Sequence, residues 1–293
     1  MGKISEHYST RRLTTLGIGG LARFFAEAES TEELQSLIQR AARNKIPHCI
    51  IGRGSNLLIS DKGYDGMVLR LKPRQLGGIF QTDGRLIVDA SVTLGHFCNF
   101  CAANGIGGFE FLCGIPGNMG GAVVMNAGAH GKNIGDHVES VQFLHKGGTV
   151  ISAVKPAFSY RHCHLDGMDA LLSVDLRAEN FFTPPEKIRR QQTELRQWRS
   201  NRQPSGPSAG SIFKNPDGHS AGKLIDDAGL KGYTIGGAQI SQMHGNFIIN
   251  RGNATCADML ELIELIRATV RRKFAIELQL EVHYLGPSGF EII

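Results

Sequence analysis

No window of this 293-residue chain approaches the roughly 20 consecutive apolar residues that a membrane-spanning helix needs, and the polar opening MGKISEHYST has no apolar run behind it. The expectation is a cytoplasmic protein with neither anchor nor leader. Cysteine is scarce: Cys49, Cys98, Cys101, Cys113, Cys163 and Cys256 stand singly among apolar neighbours, which argues against a disulfide scaffold and predicts free thiols. The lone Cys98-Asn-Phe-Cys101 spacing sits in a helical pattern without a second pair, so it reads as core packing. The 11 histidines form no HExxH and no tight cluster, and no metal site is expected. Charge of one sign is equally thin. With 32 Lys and Arg against 27 Asp and Glu, the net +5 and the lack of a long basic run speak against nucleic acid and suit a small anionic ligand. The densest basic stretch, KIRRQQTELRQWRSNR at 187–202, reads as the solvated face of an amphipathic helix. No internal repeat or low-complexity segment is present.

What is present is ample apolar sequence, 41%, at a length that suits two lobes better than one. Strand and helix patterns alternate. ARFFAEA (22–28) reads as a strand, and the helix STEELQSLIQRAARNK follows it with Ser30 and Glu33 as a capping box. HCIIG, MVLRL, GGIFQ and RLIVDASV are short β runs, and LGHFCNFCAANG is a helix ending at Gly105. VESVQFLHKGGTVISAV reads as two strands turning at Lys146-Gly147-Gly148, with another strand at LLSVDLRA. The prolines of FTPPE (182–186) mark a domain boundary. Beyond it come a short helix AGKLIDDAGL, a strand NFIIN and a long helix at 256–274, capped by Thr255 and Asp258 and carrying Met259, Ile263, Ile266, Val270 and Phe274 as its buried stripe. The fold class is α+β.

Two glycine-rich segments could hold a ligand. In IGRGSNLLI (51–59) a strand runs into Gly52-Arg53-Gly54-Ser55-Asn56, which has the bare N–H groups of an anion-binding nest, although a tight turn would use the same residues. It does not continue as GxGxxG, so the ordinary nicotinamide-binding fingerprint is absent. The second, GIPGNMGGAVVMNAGAHG (114–131), lets backbone approach a flat or anionic ligand closely. GHSAGKL has Leu224 where a phosphate loop needs Ser or Thr, and is set aside. Three polar residues resist a purely structural reading when taken together. They are Arg161 in FSYRHC, Glu281 within the β-patterned LQLEVHYL, and Ser211 in the tightly bounded PSAGSIFKNP. Singly, each could be a surface arginine, an exposed strand residue or a cap.

Taken in order and spacing, several segments resemble the UDP-N-acetylenolpyruvoylglucosamine reductase (MurB) family. They are TTLGIGGLARF (14–24), GRGSNLLISDKGYDGMV (52–68), GFEFLCGIPGNMGGAVVMNAGAHG (108–131), Tyr160-Arg161, SAGSIFKNP with AGKLIDDAGLKG (208–232), HGNFIIN (244–250) and LQLEVHYLG (278–286). The resemblance implies a p-cresol methylhydroxylase-type FAD-binding portion plus a smaller α+β substrate-binding domain. It divides the chain into an FAD-binding region at 1–183, with subdomains of about 1–71 and 72–183, and a linker helix with substrate domain at 184–293, whose last strand returns to the active site. It further implies noncovalent FAD, NADPH as reductant, an enolpyruvyl sugar nucleotide as substrate, and a monomer by default.

By the same resemblance, Gly52 to Asn56 hold the FAD pyrophosphate, while Gly114, Ile115, Pro116, Gly117, Gly121 and Ala122 approach the flavin. Hydride from flavin N5 adds to C3 of the enol ether, Arg161 and Glu281 stabilise the enolate, and Ser211 donates a proton to C2. Tyr160, Lys214 and Asn215 contact the substrate. Two departures stand out: Cys163 lies where many relatives have serine after the Tyr-Arg pair, and His130 lies where relatives often have tyrosine. The chain passes from YRHCHLDG directly to LLSVDLRA, as in a shorter branch lacking an inserted tyrosine loop. Two alternatives stay open, an oxidase of small alcohols or sugars on the same fold and a catalytically silent sugar-nucleotide-binding protein.

Overall fold

The computed structural model describes residues 3–72, 78–82, 84–146, 148–178 and 182–293; Gly77 of the run GGIFQ and Gly147 of the expected hairpin turn lie outside them. Packing divides the chain into two interleaved units, one of 1–4, 26–53 and 68–199, the other of 5–25, 54–67 and 200–293. The sequence-based boundary at 183/184 precedes the helix Pro185–Ser200, whereas packing keeps that helix, through Arg199, with the first unit. The reason lies in its buried side: Ile188 is fully enclosed, and buried Gln192 donates from Nε2 to the Cys98 carbonyl.

The first unit is built on an antiparallel five-stranded sheet ordered Val150–Val154, Val138–His145, Met168–Arg177, Arg85–Asp89 and Ile79–Thr82. Strand alternation puts Leu86, Val88, Val174 and Leu176 on one buried face, where Val174 pairs with Val88 and Leu176 with Leu86. Helix α1 (Thr31–Arg43) is N-capped by Ser30, whose Oγ accepts the Glu33 N–H at 3.2 Å. The expected reciprocal bond is displaced by one residue, because the Glu33 carboxylate accepts from the Glu29 N–H instead. Helix α2 (Leu94–Ala103) buries Phe97, Cys98 and Cys101 in the core, and all six cysteines are free and buried. The glycine-rich tract is more ordered than a bare loop. It folds a 3-10 turn at Glu110–Leu112 and a short helix α3 (Met119–Val124), which the sequence pattern hides because glycine dominates it. Helix α4 is Pro185–Ser200.

The second unit holds a four-stranded antiparallel sheet ordered Ser208–Ser211, Phe247–Asn250, Ala238–Ile240 and Thr234–Ile235, with helices α5 (Ala221–Asp227) and α6 (Cys256–Phe274). Met259, Ile263, Ile266 and Val270 are buried as the helical spacing predicts, while Phe274 packs at the margin. The strand His283–Gly286 runs parallel to Leu57–Ile59, and the tail PSGFEII adds the strand Gly289–Glu291 on its other side. Ser211 ends a strand, and one expectation is corrected. The run LQLEVHYL is not one continuous strand: Leu280 makes an isolated bridge to Phe213, and regular pairing begins only at His283.

Thr255 and Asp258 form the capping box of α6, and Asp61 adds a second set of acceptors, taking the Cys256 N–H at 2.8 Å and the Ala257 N–H at 3.0 Å. A carboxylate against the first-turn amides offsets their lost hydration and matches the positive helix end. Asp61→Ala is therefore expected to lower stability by about 1–2 kcal/mol. Chemical denaturation checks this, and an unchanged midpoint would show the cap to be idle.

Candidate active site

In the first unit the two glycine-rich segments converge on Asn118. Its Oδ1 accepts the Gly121 N–H at 3.3 Å, and a Cβ placed on Gly52 would collide with that same oxygen, so only glycine fits there. Backbone bonds hold the approach in place: Met119 N–H reaches the Val92 carbonyl at 2.7 Å, and Gly120 N–H the Ala90 carbonyl at 2.8 Å. Gly117 accepts the Leu94 N–H at 3.1 Å and has φ 143°. Ile115 and Pro116 lie between it and Gly114, and Ala122 is buried in α3. Arg53 is exposed.

Tyr160 and Arg161 form the tip of the hairpin Ala157–Ser159/His162–His164. Arg161 takes a left-handed φ of 58°, and its guanidinium lies 5.1 Å from the half-exposed Tyr160 ring. Asn126 anchors this hairpin to the glycine tract, donating to the Ser159 carbonyl at 3.0 Å while accepting the Gly135 N–H at 3.0 Å. Cys163 points into the core. His130 packs edge-to-face on Trp198 at 4.7 Å.

Arg199 is a residue that sequence reasoning missed. Its Nε is buried and has no hydrogen-bond partner among the described residues, and burial pushes its pKa below the usual arginine range, with the neighbouring Arg161 charge acting in the same direction. Its Cδ lies 3.1 Å from where a Cβ on Gly114 would sit. The signal was available in helical phase. Buried Ile188 and Gln192 start a stripe that continues to 195 and 199, so Arg199 falls on the inward side of a helix that reads as a solvated face.

In the second unit, Gly54 has φ 63°, and a Cβ there would collide with the Leu13 carbonyl; its own carbonyl accepts the Thr15 N–H at 3.2 Å. Ser55 and Asn56 follow, and Asn56 Nδ2 donates to the Glu281 carbonyl at 2.9 Å. Glu281 N–H and Val282 N–H both donate to the Ile212 carbonyl, at 2.8 and 3.3 Å, and Lys214 N–H donates to the Gln279 carbonyl at 2.8 Å. Ser211, Lys214, Glu281 and Asn56 are thereby brought together. Asn215 is exposed, with its Oδ1 occupied by the Ala221 N–H at 3.0 Å. Ile212 and Phe213 are buried, as their neighbourhood in the sequence implied.

These features fit a dinucleotide cofactor with a flat ring and a pyrophosphate. Gly52 lies too close to the Asn118 side chain, and Gly54 to the Leu13 backbone, for a Cβ, and the buried Arg199 Nε beside the Gly114 loop has no hydrogen-bond partner among the described residues. The chemical class is that of a FAD-binding oxidoreductase: an FAD binding domain matches residues 22–153. The C-terminal domain of UDP-N-acetylenolpyruvoylglucosamine reductase matches residues 202–285, and the chain belongs to the UDP-N-acetylenolpyruvoylglucosamine reductase family. It is 42% identical over 97% of its length, and 94% of the relative, to the reductase of Caldanaerobacter subterraneus subsp. tengcongensis. It is 41% identical over 99% of its length, and 93% of the relative, to that of Heliobacterium modesticaldum. The crystal structure of the Thermus caldophilus reductase superposes with a TM-score of 0.80 at 36% identity, covering 97% of this chain and 98% of that one. Among the described residues no helix is long and apolar enough to cross a membrane.

Gly54→Ala is expected to cut the flavin retained on purification well below the wild-type ratio, read from absorbance of flavin against protein. Full flavin loading would remove this loop from the cofactor site. A second expectation concerns His244, whose Nδ1 accepts the Asn246 N–H at 3.2 Å and whose pKa is lowered, chiefly by burial and then by Lys231. The folded state therefore binds its proton less readily than the unfolded chain. The stabilisation is complete above the ordinary histidine value of about 6.5 and is lost as pH falls through the lower folded value. His244→Gln should flatten that acid-side decline in denaturation midpoints, and an unchanged slope would assign the decline to other groups.

Proposed function

We propose that this chain reduces UDP-N-acetyl-3-O-(1-carboxyvinyl)glucosamine to UDP-N-acetylmuramate with NADPH as the electron source, a cytoplasmic step of peptidoglycan precursor synthesis. The single observation that carries the mechanism is the shared attachment of the Ser211 and Glu281 segments to the Ile212 peptide group. When bound, FAD would supply the hydride chemistry that links NADPH to C3 of the enolpyruvyl group.

The chain's own residues do the rest. Gly52, Arg53, Gly54, Ser55 and Asn56 would hold the cofactor pyrophosphate, and Gly114, Ile115, Pro116, Gly117, Gly121 and Ala122 would flank its ring. In this reading 1–183 serves the cofactor and 184–293 the substrate. Hydride addition builds negative charge on the substrate carboxylate, and the Arg161 guanidinium, with Glu281, stabilises that enolate. Ser211 then gives its hydroxyl proton to C2. The O–H bond breaks as the C–H bond forms, and solvent restores the serine. A hydroxyl is a weak acid, so the transfer succeeds only against a strongly basic carbanion at hydrogen-bond range. Lys214, the Asn215 amide and the exposed Tyr160 ring orient the sugar nucleotide. The missing tyrosine loop places the chain, in this reading, in the shorter branch of the family.

The protein should purify yellow, bleach when NADPH is added without oxygen, and recover colour only with the enolpyruvyl substrate. Recovery with oxygen alone, at turnover rates, would favour the oxidase reading, and a colourless protein that takes up no FAD would overturn the proposal. Ser211→Ala should leave flavin reduction by NADPH intact and slow reoxidation by the substrate at least ~100-fold. Glu281→Gln should act on the same half-reaction, whereas an effect confined to FAD retention would make it structural.

A further inference from the structure

We infer that Asn246 is a positioning residue that holds the proton donor in place, an inference that rests on the role proposed for Ser211. The strand Ser208–Ser211 pairs with Phe247–Asn250 only as far as Ser211 opposite Phe247. Beyond that point the ladder continues through a side chain. Asn246 Oδ1 accepts the Phe213 N–H at 2.9 Å, and its Nδ2 donates to the Phe213 carbonyl at 2.8 Å. Its main-chain carbonyl accepts the Ile212 N–H at 2.9 Å. A carboxamide is the chemical copy of a peptide unit, so one residue supplies the partners that a further turn of strand would have supplied.

The remaining main-chain carbonyl, that of Ile212, is the acceptor for the Glu281 and Val282 amides. Every polar backbone group of Ile212 and Phe213 is thus used, three of them by Asn246, and both side chains are buried. Asn246 itself is 3% exposed, so water cannot replace it. The backbone leaving Ser211 is fixed in direction by these bonds, and the Glu281 segment is fixed against the same dipeptide. A proton donor must sit within about 2.6–3.2 Å of the atom it serves, and a misplacement near 1 Å costs on the order of a hundredfold. Asn246 touches neither substrate nor cofactor in this account; it acts through the position of Ser211.

The test uses the FAD-loaded protein in anaerobic stopped flow. Asn246→Ala should slow reoxidation by the enolpyruvyl substrate about 10- to 100-fold, leave reduction by NADPH within about twofold, and raise the solvent deuterium effect on reoxidation as proton transfer becomes slower. Made in the Ser211→Ala background, the same change should cause no further loss, since the donor it positions is gone. Should Asn246→Ala fail to fold, Asn246→Asp serves: its carboxyl regains the donor only when protonated, so its rate relative to wild type should rise toward acid pH. Amide exchange at Phe213 should accelerate in either variant. Equal loss in both half-reactions, or a loss that adds fully to that of Ser211→Ala, would make Asn246 a general structural residue and overturn the inference. A slow Ser211→Ala protein beside an unimpaired Asn246 variant overturns the positioning role alone. Wild-type reoxidation by Ser211→Ala overturns the donor reading, and the positioning role falls with it.

Discussion

Ile212 and Phe213 are apolar side chains on a backbone that cannot reach water, so their amides and carbonyls must find partners inside the protein. They find them in segments far away in sequence, at Asn246 and at Glu281 and Val282. An unpaired group at such a site costs roughly 1–3 kcal/mol, so the arrangement is enforced by more than the modest net gain of each bond. Burial, chosen to exclude water, thereby also fixes geometry. The neighbouring polar residues Ser211, Lys214 and Glu281 inherit definite positions from an apolar pair that does no chemistry.

The first unit uses a different constraint for a similar end. There the absence of side chains matters: Gly52 and Gly121 meet around the Asn118 amide, and at Gly52 a Cβ would collide with it. Bare backbone is what a phosphate or a flat ring can approach, and the ordered turns of the tract keep it from collapsing onto itself. Arg199 supplies a cation beside Gly114, with a buried Nε that the described residues leave unsatisfied. A charged donor of this kind is costly in the free protein and well matched to an anionic guest.

Local features were legible in the sequence. The Ser30 and Thr255 caps, the buried stripe of α6 and the burial of Ile212 and Phe213 follow from residues within a few positions of one another. The glycine segments were legible as places of close approach, since Gly52 and Gly54 leave no room for a Cβ. What escaped was non-local or masked. Helix α3 is hidden by its glycines, Asn118 and Asn246 act on residues far along the chain, and Arg199 lies in a stretch whose charge outweighs its phase. Glu281 shows the limit most plainly. Alternation around it promises a strand, yet its N–H bonds to the end of a different ladder, and the chain bends before pairing resumes.

The pairing of His283–Gly286 with Leu57–Ile59 carries a consequence for biosynthesis. One strand emerges from the ribosome far ahead of the other, so the second unit's three-stranded sheet cannot close until His283–Gly286 has been made. Closing so long a loop is an entropic burden borne late, whereas residues 68–199 of the first unit can begin to pack while synthesis continues. During that interval Leu57, Leu58 and Ile59, all buried in the finished protein, wait as an apolar strand without its neighbour. Such a segment is open to wrong partners and to chaperones until its partner strand arrives.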